Sequence, residues 1–190
     1  MRKPNLLSVT TILVLVLAAT ITRADNTPPA VGALMPDITL TAPASPDQRA
    51  YLGLSKEGPF TLKEITAPVI IVEIFSMYCP YCQAEAPHVN ELYEAIKQDP
   101  QLSGKVVILG IGAGNTAFEV NIFKEKYQIP FPLFDDEDYA IHKIVGKVRT
   151  PYFIVAKGKP NSTRGVIYSK AGALEDIEGF KAMLRWATGK

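Results

Sequence analysis

The chain has 190 residues, 47% of them hydrophobic and 21% charged, with 20 basic and 19 acidic side chains. That balance fits one globular domain with a sizeable core and does not fit a disordered or fibrous chain. A net charge of +1 gives no basic footprint for nucleic acid, and two cysteines are too few to staple a disulfide scaffold.

In chain order, Arg2 and Lys3 precede an uncharged apolar stretch from Leu6 to Ile21, and the small residues Thr22 and Ala24 suit cleavage after Ala24. Leu13 to Leu17 is apolar on all sides, so it has no polar face for a surface helix. Residues 1–24 therefore read as a signal peptide, the short length favouring cleavage, with an uncleaved membrane anchor as the alternative. The protein is then expected outside the cytoplasm, in the periplasm, soluble after cleavage or tethered at its N-terminus. No cysteine near residue 24 is free for lipid attachment. Residues 25–34 are polar and proline-containing and read as a tether, leaving residues 35–190 as the folded domain.

Pro36 to Thr41 alternates apolar and polar residues, as a strand at one sheet edge would. Ala42 to Pro59 carries several proline and glycine punctuators and reads as a loop. Thr61 and Glu64 have capping-box spacing for a short helical turn. The β-branched run Val69 to Phe75 has the pattern of a central buried strand. Glu73 interrupts it, and a buried carboxylate is costly unless paired or protonated.

Cys79-Pro80-Tyr81-Cys82 follows that strand and holds both cysteines. A zinc site needs four ligands, and His88 and His142 lie outside the short paired spacings of zinc modules. A structural bridge across so small a loop would restrain the unfolded chain little. A redox pair fits the strand before and the helix after. Pro80 suits the first helical position, and Val89, Leu92, Tyr93 and Ile96 form one apolar face of a helix reaching about Gln98. Cys79 sits at the helix mouth, where free N–H groups and the dipole favour a thiolate, with Cys82 one turn deeper. The expected order is Cys79 attacking and Cys82 resolving. Tyr78, Pro80 and Tyr81 beside the thiols are candidate contact residues.

Val106 to Ile111 reads as a second buried strand, followed by a helix opened by Thr116 and Glu119 and carried by Phe118, Ile122 and Phe123. Tyr139 to Val145 is a short helix, Tyr152 to Val155 and Gly165 to Ser169 are strands, and Ile177 to Thr188 is a closing helix. The glycines from Gly110 to Gly114 lack nucleotide-binding spacing and a P-loop lysine. Strands alternating with helices imply an α/β fold with parallel pairing and right-handed crossovers.

Four features together resemble the TlpA/ResA group of exported thiol-disulfide oxidoreductases. They are the Cys79–Cys82 motif, Glu85 and Pro87 in a Cys-x-x-Glu-x-Pro ending, Ile129-Pro130-Phe131-Pro132 with Asp135, and Val148-Arg149-Thr150-Pro151. The resemblance implies a thioredoxin-like three-layer fold from about Met35 onward, a central mixed sheet with helices on both faces. It implies that Pro87 marks a helix kink and that Pro151 is cis against the cysteines, leaving the Thr150 backbone to pair with a substrate segment. It further implies that Glu73 is the buried acid beneath the site and Glu85 the acid of the ResA-like group, either serving Cys82 as proton acceptor. The structural alternatives are a Glu73 ion pair with a lysine such as Lys105, and a solvated Glu85. Tyr78 stands where the group usually has tryptophan, and Pro80-Tyr81 is closer to glutaredoxins.

The resulting expectation is a dithiol-disulfide oxidoreductase without a cofactor, acting on protein thiols or disulfides and served by an upstream redox partner. Family resemblance favours the reducing direction. A peroxiredoxin-type peroxidase, with Ser76 three residues before Cys79, and a copper metallochaperone using the two thiols and Met77 are the alternatives.

Overall fold

The computed structural model describes residues 27–189, so the leader expected over residues 1–24 lies outside the described residues. At the centre is β3 (Val69–Phe75), buried along its whole length. It pairs in parallel with β4 (Val106–Ala113), which pairs in parallel with β5 (Leu133–Asp136). On its other side β3 pairs antiparallel with β6 (Tyr152–Lys157), and β6 with β7 (Gly165–Ala171), giving the order β5-β4-β3-β6-β7. The sheet is mixed. Alternation correctly implies parallel pairing for β3 to β5, but β6 and β7 are joined by a short connection that only an antiparallel pair can use.

Both faces are covered. Ile70, Val72 and Ile74 point to a core shared with Leu52, Phe60, Ile141 and Val145. Val69, Ile71 and Phe75 point to the opposite core, shared with α2 (Pro80–Gln98), α3 (Ala117–Lys126) and α5 (Ile177–Thr188) through Val89, Leu92, Phe123 and Leu184. Strand alternation places Glu73 on this second face, under α2. Gly110 of β4 permits close approach: a Cβ there would lie 2.5 Å from Leu133 and 3.3 Å from Phe75.

Several elements differ from expectation. The segment read as a loop over 42–59 contains α1 (Pro46–Leu52). Ser45 caps it, Pro46 occupies its first turn and Gly53 ends it in the left-handed region, so the punctuators are helix boundaries rather than loop residues. The first strand is β1 (Thr39–Thr41), which pairs with β2 (Pro59–Thr61) in a separate hairpin rather than at an edge of the central sheet. The capping box forms as expected, with Glu64 accepting the Thr61 N–H at 2.7 Å. In α3, Thr116 and Glu119 cap as expected, but Val120 and Phe123 are the buried residues while Phe118 is 74% exposed. At four residues, β5 is too short to carry a strand pattern in the sequence. Part of the segment read as a tether lies on the domain: the Gly32 N–H donates to the Val166 carbonyl and the Ala33 carbonyl accepts the Val166 N–H, both at 2.8 Å. The short helix α4 (Ala140–Ile144) is held by Asp136, whose carboxylate accepts the N–H groups of Ile141 and His142. No helix of the described residues is long and apolar enough to cross a membrane.

Candidate active site

The chain leaves the end of β3 through Ser76, Met77 and Tyr78 and enters α2 at Cys79, the N-cap residue. Three bonds fix this turn. The Cys79 N–H donates to the Ser76 carbonyl at 3.0 Å. The Met77 N–H donates to Asn115 Oδ1 at 2.8 Å, and Gln83 Nε2 donates to the Met77 carbonyl at 2.7 Å. Asn115 is fully buried just beyond β4, so β4 positions the turn that carries the first thiol. The Tyr78 hydroxyl donates to Glu119, joining the turn to the start of α3.

The two sulfurs sit in different surroundings. Cys79 is half-buried and Cys82 buried. Partial burial acts to raise the Cys79 pKa, but hydrogen bonds from the Thr150 side chain, the Cys82 and Tyr81 backbone and the Cys82 thiol outweigh it and hold it below the ordinary thiol value. The donated N–H groups are those that a helix's first turn leaves unpaired. The Cys79 sulfur also lies 3.3 Å from the Thr150 carbonyl, a contact available to the protonated thiol. Cys82 is pushed the other way, chiefly by burial and also by Cys79, although the Ser76 backbone and Thr150 side chain favour its thiolate.

Glu73 and Glu85 are both buried, at 5% and 3% exposure. Glu85 is one turn beyond Cys82 on the inner face of α2, not solvated on the helix surface. Its Oε1 accepts the Leu174 N–H at 2.8 Å, and its Oε2 lies 3.4 Å from His88 Nδ1. Glu73 has no ion pair among the described residues, to Lys105 or any other base. Burial, and then the charge of Glu85, push its pKa up to about 8.

The Thr150–Pro151 bond is cis. Pro151 is buried and Thr150 half-buried. They border a cleft of about 480 Å³ that Tyr81, Ala84, Glu85, His88 and Arg149 also line. Tyr78 and Tyr81 are 65% and 76% exposed and flank the thiols, with Pro80 exposed between them. Met77 is half-buried and packs against the core on the α2 face. The structure therefore brings together every sequence-selected site residue: the two cysteines, both carboxylates, Thr150, Pro151 and the flanking aromatic side chains. Sequence reasoning passed over Asn115 and Gln83, since lone amides far apart in the chain carry no local signal. From sequence His88 reads as a surface residue or one just behind the site, and it is exposed beside Glu85; His142 reads as a helix-surface residue, whereas it is half-buried and its Nε2 lies 2.8 Å from the Val148 carbonyl.

This sheet order, with paired cysteines at the mouth of the helix that follows the central strand, defines a thioredoxin-like protein. The chain belongs to the AhpC/TSA family, whose model matches residues 31–168. Thiol-disulfide oxidoreductase ResA of Geobacillus kaustophilus is 26% identical over 187 residues, covering 94% of this chain and 95% of that protein. The protein of the same name in Geobacillus thermodenitrificans is 23% identical over 190 residues, covering 95% and 99%. That of Oceanobacillus iheyensis is 26% identical over 121 residues, 63% of this chain, and the match spans 58% of the relative's length. Among solved structures, a thioredoxin-family thiol:disulfide interchange protein from Chlorobium tepidum superposes with a TM-score of 0.57 at 17% identity, over 84% of this chain and 99% of its own. StoA from Bacillus subtilis gives 0.54 at 16% identity, over 81% and 98%. At such identities the likeness is one of fold.

Proposed function

We propose that the protein is an exported thiol-disulfide oxidoreductase that reduces disulfides in partner proteins, with Cys79 as nucleophile and Cys82 as resolving thiol. Oxidoreductase chemistry is supported by the family, by relatives named thiol-disulfide oxidoreductase ResA and by the paired cysteines. The observation that carries the assignment of roles is the opposite treatment of two thiols one turn apart. Cys79 is accessible and its pKa is lowered, whereas Cys82 is sealed in the core and its pKa is raised. The thiolate is the nucleophile, so the first attack belongs to Cys79. Cys82 is close enough to Cys79 to hydrogen-bond with it and so to break a mixed disulfide.

In this reading one of the two buried carboxyls, Glu73 or Glu85, accepts or returns the Cys82 proton, and an extended substrate segment pairs with the Thr150 backbone while resting against Pro151, Tyr78, Pro80 and Tyr81. Export rests on the Arg2–Ala24 leader pattern, and the reducing direction on the family resemblance. Insulin reduction with a dithiol donor tests the activity: Cys79→Ser should abolish turnover, while Cys82→Ser should accumulate a trapped mixed disulfide with substrate. Turnover retained by Cys79→Ser would refute the order. A reduction potential near that of a strong oxidant, roughly −120 mV, would refute the direction. Fractionation of cells expressing the chain with and without residues 1–24 tests export, which a cytoplasmic full-length product would contradict.

A further inference from the structure

Glu85 is held from two sides that lead to different places. Oε1 accepts the Leu174 N–H in the interior, while Oε2 lies 3.4 Å from Nδ1 of His88, one turn further along α2. The Glu85 side chain is 3% exposed and that of His88 59% exposed, and both line the cleft that borders Thr150 and Pro151. A buried acid one helical turn from the resolving thiol thus touches one group that reaches solvent. We propose that His88 is a positioning residue that carries protons between the buried Glu85 carboxyl and the substrate cleft; this rests on the exchange reading above.

The other groups around Glu85 are unsuited to that task. Glu73, from β3, is itself buried. Tyr168, from β7, is a phenol whose pKa is raised further by burial and by the charges of Glu175, Glu85 and Tyr152. In the cleft, Arg149 does not release a proton in proteins, and Tyr81 is a phenol. An imidazole is the side chain whose proton exchange spans neutral pH.

The proton balance gives the relay its place. The Cys79 thiolate attacks a partner disulfide, forming the mixed disulfide and expelling one partner thiolate, which takes a proton from water. Cys82 then gives its proton to Glu85, and its thiolate attacks the Cys79 sulfur. The Cys79–Cys82 bond forms as the second partner thiolate leaves with the electron pair of the broken bond. The proton on Glu85 passes through His88 to that thiolate or to water. The protein dithiol is oxidised by two electrons and the partner disulfide is reduced to two thiols.

Dithiobis(nitrobenzoate) separates these steps on the full chain. The first coloured thiolate reports attack by Cys79, and the second reports resolution by Cys82, with an aryl thiolate that leaves unprotonated. In His88→Ala the second phase is expected to slow by about tenfold, less than the roughly hundredfold or more of a group that transfers a proton directly in the transition state, and to lose its pH dependence across roughly pH 6 to 8. Added imidazole should restore it saturably, which it would not do for a purely structural defect. A second phase at the wild-type rate and pH profile overturns the proposal. So does a slowing that is uniform with pH and indifferent to imidazole. Absence of any first phase in the wild-type protein would instead overturn the exchange reading itself.

Discussion

At the scale of single residues, the site depends on how much water and how many N–H groups each ionisable atom meets. Cys79 faces the open first turn of α2 and gains donors, whereas Cys82, three positions later, is inside and loses solvent. Glu73 follows the same rule as Cys82, since burial holds its proton up to about pH 8. Its folded-state pKa lies above the ordinary carboxyl value of 4.5, so this stabilisation is complete below about that pH and is lost as pH rises toward about 8. Within that window each pH unit costs roughly 1.4 kcal/mol. Glu73→Gln is therefore expected to remove most of the fall in unfolding free energy between about pH 4.5 and about pH 8, as measured by urea denaturation at a series of pH values. Parallel pH curves for variant and wild type would show that Glu73 is ionised throughout.

At the scale of elements, the turn carrying Cys79 depends on β4 as much as on β3. Asn115→Ala removes the acceptor of the Met77 N–H, a loss of roughly 1–3 kcal/mol if that group stays buried and unpaired. The expected result is lower stability and slower alkylation of Cys79; wild-type alkylation kinetics would show that the turn holds itself. Gly110→Ala would force β4 against Leu133 and Phe75 and is expected to cost roughly 1–3 kcal/mol by overpacking, measured by chemical denaturation. What the sequence makes legible follows from these contacts. β3, β4 and α2 are written in local pattern, because a β-branched run and an apolar helical face are properties of neighbouring residues. The α1 helix was hidden because Ser45, Pro46 and Gly53 mark its ends with residues that equally mark loops. Phe118 was assigned inward by spacing, but the face that α3 buries is set by where α3 meets the sheet, which local sequence does not state. The acids show the same division: an odd Glu73 inside an apolar strand is visible, while the meeting of Glu85 with Leu174 is a contact across most of the domain.

At the scale of the whole molecule, Arg164 ties distant segments at the sheet end remote from the thiols. It is 1% exposed and donates to the carbonyls of Leu62, Ile65, Ala67, Pro68 and Gly158. These join the hairpin region, the entry to β3 and the β6–β7 connection. Arg164→Met leaves buried carbonyls unpaired and is expected to lower stability by about 3 kcal/mol or more, while leaving the Cys79 alkylation rate of the folded protein near wild type. A midpoint shift of under about 0.5 kcal/mol would mean that water replaces the guanidinium there.

The proposed exchange depends on the unequal acidity of the two thiols. The direct measurement is the pH dependence of iodoacetamide alkylation, Cys79 read in Cys82→Ser and Cys82 in Cys79→Ser, with the reduced wild-type protein as reference. Cys79 is expected to titrate below, and Cys82 well above, the ordinary thiol value of 9.0. Equal rates with a common midpoint at that value would contradict it.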